Sequence, residues 1–130
     1  MNEDLIISVQ KEHVDNMRSG KKRIELRKTR PRHVSFPARC LLYETKADGG
    51  AGAVVGEFNI DNIEEIDMLK LKVPAAACVD LDFALRYAAG RRMLYGWVMR
   101  DVVFYGKAIP VTRYARRAPQ SWQFVKEVTQ

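Results

Sequence analysis

Only two stretches of this chain carry helical periodicity, and both are short and closed by glycine. Lys11–Ser19 places Val14 and Met17 three apart and stops at Gly20. Val79–Ala89 spaces Leu81, Ala84, Leu85 and Ala88 along one helical face, with Asp80 at the N-cap position and Gly90 beyond the end. The other apolar segments have strand character. Leu5–Val9 is a short apolar run, and Lys22–Lys28 alternates, with Ile24 and Leu26 set against Arg23, Glu25 and Arg27. Thr29–Pro37, with two prolines, is a loop by composition. Arg39–Thr45 and Ala53–Ile60 flank the glycine-rich Ala47–Gly52 and predict a hairpin with a long tip. Leu94–Tyr105 is aromatic and β-branched and predicts a long strand or strand pair, with a bulge or bend at Asp101. Trp122–Val128 alternates weakly and predicts a last strand.

The order strand, helix, several strands, helix, strands lacks the regular alternation of a doubly wound parallel sheet. It predicts an α+β, mainly β chain: a mostly antiparallel sheet or small β-barrel with two or more flanking helices. At 130 residues this is a single domain spanning 1–130, large enough to bury a core without metal or disulfide. The longest apolar run, Val73–Val79, contains Pro74. A membrane helix needs about 20 apolar residues, so no membrane partner is expected. Cys40 and Cys78 form no C-x-x-C pair and are read as reduced and buried. With no signal-peptide pattern at the N-terminus, the expected compartment is cytoplasmic.

Charge narrows the partner. The chain has 22 Lys and Arg against 16 Asp and Glu, a net charge of +6, which favours a polyanion. The excess is concentrated. Between Arg18 and Arg32 stand eight basic residues and one acid, Glu25. With Ile24 and Leu26 in the core, Glu25 and Arg27 project together from the opposite face, about 7 Å apart. Arg27 offers a planar fork for phosphate or a base edge, and Glu25 beside it is held ionised, an acceptor for an exocyclic amine. Lys22 stands at the strand entrance. The plainer account is a solvated basic strand carrying a Glu–Arg pair.

A second basic segment, Arg113-Tyr-Ala-Arg-Arg117, leads through Gln120 and Ser121 to Trp122. Arginines near aromatics suit stacking with phosphate contact, and Gln120 and Ser121 are able to read a base edge. The plainer account has Trp122 plugging one end of the barrel and Trp97 in the core. Ala47–Gly52 lacks the Lys-Ser/Thr ending of a phosphate loop and is read as a hairpin tip. His13 and His33 have no ligand-like neighbours, and Glu64, Glu65 and Asp67 read as a solvated acidic face. No metal and no cofactor are expected.

Gly20-x-Lys22-x-x-Glu25-x-Arg27, directly after a short helix, resembles the signature of the ASCH domain, a member of the PUA-like superfamily alongside EVE and YTH domains. Leu41-Leu-Tyr-Glu-Thr45 with Val54-Val-Gly-Glu-Phe58 resembles the family's next two strands. Tyr95-Gly-Trp97 with Asp101-Val102 resembles its late strand, and Ile109-Pro110 the turn after it. The likeness spans roughly residues 5–126. It implies a PUA-like barrel, a basic cleft beside the motif strand, and RNA, single-stranded nucleic acid or a modified nucleotide as partner, with a regulatory place in RNA metabolism. Some ASCH proteins are amidohydrolases acting on acylated cytidine, with a Lys as base and a Thr three residues on as nucleophile. Lys22 matches that Lys, and Glu25 stands at the Thr position. Others have been linked to nuclease activity.

Three readings follow. In the first, the chain binds RNA or a nucleotide. Phosphate lies along Arg23, Arg27, Lys28 and the Arg113, Arg116, Arg117 segment, and a base enters near Lys22, Glu25, Arg27 and Trp122. In the second it is a hydrolase of a modified nucleoside or RNA, with Lys22 and Glu25 as the catalytic pair and Glu25 as general base on water. A protein-interaction domain that keeps the fold without the ligand is a third.

Overall fold

In a computed structural model, which describes residues 3–125, eight regular elements build one curled sheet and two helices. In chain order they are β1 (Leu5–Val9), α1 (Lys11–Arg18), β2 (Ile24–Arg27), β3 (Ala38–Glu44), β4 (Ala53–Asp67), α2 (Leu81–Ala88), β5 (Met93–Ile109) and β6 (Trp122–Phe124). The sheet order is β2-β5-β4-β3-β1-β6. β1 runs parallel to β3, and every other neighbouring pair is antiparallel. This is the expected mainly β chain with flanking helices, closed only halfway into a barrel.

Local chemistry sets the helix ends. α1 ends where Gly20 takes φ +82°, a left-handed conformation that other residues adopt at a cost. Asp80 caps α2, its carboxylate accepting from Phe83 N at 2.7 Å.

β4 is longer than its sequence pattern. It continues past Ile60 to Asp67, so Glu64 and Glu65 are exposed strand residues on opposite faces. Register shifts between Val54 and Gly56, Glu57 and Asn59, and Ile60 and Asn62 bend the β4–β5 ribbon. Asp101 sits at one shift with φ 54°, the bulge its sequence position predicts. Gly56 is required there, because a Cβ would lie 2.3 Å from Val103 O on β5. Of the predicted last strand, Trp122–Phe124 is observed, and 126–128 lie outside the described residues.

Three apolar clusters hold the curl. Leu5, Ile7, Phe58, Ile60 and Trp97 pack inside it with Val14 and Met17 of α1. Ile24, Leu26, Ile66 and Leu94 pack against Ala84 and Ala88 of α2. On the outer side, Ile6, Leu41 and Val54 are covered by Val111, Tyr114 and Ala118. Cys40 is buried, but Cys78 is only half-buried, at a left-handed residue between Ala77 and Val79; both are free thiols. No helix among the described residues is long and apolar enough to cross a membrane.

The curl brings the two ends of the sheet face to face. Arg27 on β2 donates from Nη2 to Ser8 O on β1 at 2.7 Å and from Nη1 to Ser121 Oγ, just before β6, at 3.0 Å. Trp122 Nε1 donates to Thr29 Oγ1 at 2.9 Å across the same seam. Trp97 on β5 meets Trp122 on β6 edge to face at 5.5 Å. No backbone ladder joins β2 to β1 or β6.

Candidate functional site

The motif strand puts four buried residues in a row. Ile24 and Leu26 enter the α2-side core, as alternation requires. Glu25 and Arg27 point the other way, and they too are buried, at 6% and 9% exposure. A solvated strand is therefore excluded. Lys22, two residues before the strand, is 2% exposed.

The three side chains satisfy one another. Glu25 Oε1 lies 3.2 Å from Lys22 Nζ. Glu25 Oε2 accepts from Arg27 Nη2 at 2.6 Å and from Nε at 3.1 Å. Lys22 Nζ also donates to Ala77 O at 2.6 Å. Burial alone pushes the Glu25 carboxyl up, but the charges of Arg27 and Lys22 outweigh it and hold the group below the usual range. The centre is thus an ionised carboxylate between two cations, carrying one net positive charge.

This centre floors a cavity of about 310 Å³, at the small end of the range for ligand pockets. His13 and Gln10 line it from the α1 side, Ser8 from β1, Thr45 from just beyond β3, and Gln120 from the approach to β6. α2 supplies an aromatic wall. Phe83 and Tyr87, one helical turn apart, stack at 6.4 Å and 12°. Phe83 is 37% exposed, and the His13 ring meets its edge at 5.7 Å. Lys28 Nζ sits 5.0 Å from the centre of the Tyr87 ring, which places a cation against a ring of the cavity wall. Burial pushes the His13 imidazole below its ordinary value of 6.5, with Glu25 opposing and Lys22 assisting.

The structure gathers some of the sequence candidates and scatters others. Lys22, Glu25, Arg27 and Gln120 line the cavity, Ser121 is bonded to Arg27, and Lys28 lies against the Tyr87 ring of the cavity wall. Arg23 is exposed and does not line the cavity. Nor do Arg113, Arg116 and Arg117, all exposed. Their segment is anchored on the outer face by Tyr114 and Ala118, so it cannot converge with the motif strand inside the cavity. Trp122 is half-buried against Trp97 and Phe124 and does not line the cavity either: its packing is that of the plug. Glu25 has both oxygens in contact with cations, so an incoming amine shares it with Lys22 and Arg27.

His13, Thr45, Phe83 and Tyr87 were missed by motif reading. Only Phe83 and Tyr87 left a signal, two aromatics four apart on the polar side of a short helix. The acidic run Glu64, Glu65 and Asp67 builds no metal site, and no cluster of three or more His, Cys, Asp or Glu suited to a metal occurs among the described residues.

No family model matches the chain, and no curated protein matches it. Solved structures do. ASCH from Zymomonas mobilis superposes with TM-score 0.80 at 22% identity, covering 95% of this chain and 88% of that one. Its serine-to-alanine variant gives TM-score 0.80 at 21% identity over 96% and 89% of the two chains. Its tyrosine-to-phenylalanine variant gives the same score and identity over 95% and 91%. The architecture expected from Gly20-x-Lys22-x-x-Glu25-x-Arg27 is the one observed: this chain has the ASCH-domain fold.

Proposed function

We propose that the chain is an RNA- or nucleotide-binding module that takes one nucleotide unit at a time into the cavity beside the Gly20-x-Lys22-x-x-Glu25-x-Arg27 strand. One observation carries this reading: a cavity of about 310 Å³ with a stacked aromatic pair on one wall and a charged, hydrogen-bonding floor. Stacking suits any base, and a space this small suits one unit rather than a tract. In this reading Lys28 beside Tyr87 and the exposed Arg23, Arg113, Arg116 and Arg117 meet the backbone of a longer strand, where phosphate contacts add affinity without sequence information.

The arrangement supports holding a ligand more than moving protons. A hydrolase built on Lys22 and Glu25 needs one of them to take up or release a proton in turnover. Both oxygens of Glu25 are engaged by cations, and Lys22 Nζ is bound to Glu25 and Ala77 O.

Fluorescence anisotropy tests the proposal, with short single-stranded RNA and DNA and the matching duplexes at low and near-physiological salt. Phe83→Ser and Lys28→Ala run beside the wild type. The expected result is salt-sensitive binding of a single strand that weakens in both variants. Failure to bind any of the four, or binding indifferent to Phe83, overturns it.

A further inference from the structure

The polar groups of the cavity wall divide into committed and uncommitted. Lys22, Glu25 and Arg27 bind one another. Ser8 Oγ donates to Pro119 O at 2.6 Å. Besides the Gln10 and Gln120 amides and the Tyr87 hydroxyl, the wall has two buried atoms, His13 Nδ1 and Thr45 Oγ1, without a hydrogen-bond partner among the described residues. A buried polar atom left unpaired is costly to stability, and native proteins keep few of them. Here both belong to residues that line the same cavity.

Charge restricts what they can meet. An anion brought onto the floor must compete with the ionised Glu25 for Lys22 and Arg27, and must lie beside a carboxylate. An uncharged ligand incurs neither cost. We propose that His13 and Thr45 are the specificity-determining residues of this cavity, and that they take the uncharged donor-and-acceptor edge of a nucleobase while phosphate stays outside. This rests on the nucleotide-binding reading and adds an orientation to it. The neutral imidazole and the hydroxyl each offer both a donor and an acceptor, so together they match an edge that alternates the two. Phe83, edge-on to His13, is placed to cover the face of the same ring.

The orientation has a pH signature. His13 faces Glu25, Lys22 and Arg27 from the β2 side, Glu12 from its own helix, and the uncharged Phe83 ring from α2. A neutral base laid over His13 excludes more water and favours the neutral imidazole further. Affinity then falls as the solution is acidified. A phosphate in the same place favours imidazolium, and affinity rises instead.

The test is calorimetric titration with the four ribonucleosides, their 5′-monophosphates and inorganic phosphate, between about pH 5 and pH 8. His13→Gln and Thr45→Val run in parallel. His13 Nδ1 and Thr45 Oγ1 have no hydrogen bond to lose, and His13→Gln gives up only the ring contact to Phe83, so circular dichroism should show both variants folded. The expected result is a nucleoside that binds nearly as well as its monophosphate, loses affinity in acid, and is not displaced by phosphate. Each variant should weaken it by about fivefold to tenfold, the worth of one hydrogen bond. The acid loss should vanish in His13→Gln. Binding that tightens in acid, competes with phosphate or ignores both variants overturns the orientation and leaves nucleotide binding standing. Binding of nothing in the panel, together with no RNA binding, overturns both.

Discussion

Glu25 keeps its charge at a depth where a lone carboxylate would surrender it, because Lys22 and Arg27 stand on either side. Glu25→Gln leaves two buried cations facing an amide. Breaking a buried pair this way costs about 3–5 kcal/mol, which urea unfolding should register as a lower midpoint. The same geometry fixes the pH response. Glu25 titrates below 4.5 in the folded chain, so its stabilisation is full above that value and is lost as pH falls through the folded value. His13 is likewise held below 6.5, so the unfolded chain protonates first, and stability begins to decline once pH drops under 6.5. Unfolding free energies across a pH series should show two acid limbs, the upper removed by His13→Gln and the lower reduced by Glu25→Gln, with Glu57 and Asp67, also held below their ordinary values, supplying the rest. The pairing of Glu25 with Arg27 was legible in sequence, since residues two apart on a strand share a face. The depth of the pair was not, because it depends on Ala77, α1 and α2 closing over a strand whose composition looks solvent-facing.

Among the elements, α2 joins structural and functional demands on two faces. Ala84 and Ala88 are small enough to seat the helix on the sheet, while Phe83 and Tyr87 turn toward the cavity. The two faces should separate by mutation. Phe83→Ser gives up ring contacts to His13 and Tyr87 and should cost about 1 kcal/mol of stability, and about 1–3 kcal/mol in RNA affinity. Asp80→Ala removes the cap and should cost about 1 kcal/mol of stability, read by thermal melts, with a smaller effect on binding. Strand and helix positions were readable wherever periodicity was clean, as in β1, α1 and α2. β4 was cut short because Asp61 to Glu65 resembles a loop, and only pairing with β5 makes it a strand. Arg113, Arg116 and Arg117 looked like partners of the motif strand because they are basic, but Tyr114 seats their segment on the other face. His13 and Thr45 lie 32 positions apart and meet at the cavity only through the curl, which no local pattern records.

For the molecule as a whole, cavity and surface make different contributions to binding. The net charge of +6 acts on a polymer, and the cavity acts on one unit. Replacing Arg113, Arg116 and Arg117 by alanine together should weaken RNA binding across sequences. It should also flatten the salt dependence by about 0.7 per lost phosphate contact in a single strand, with nucleoside binding unchanged. The half-closed sheet has a consequence of its own. Its open side is spanned by the side chains of Arg27 and Trp122, not by rows of amides. Rows of amides open rung by rung, whereas two side chains let go together. The lips at β2 and β1–β6 can therefore separate as units, flexing about β4 and β3 as a spring clip flexes about its bend. A ligand touching Arg27 on one lip and Ser8 or Gln120 on the other adds a further clasp between the jaws. Occupancy should then stiffen the open side most, while the bend at β4–β3 stays as rigid as before.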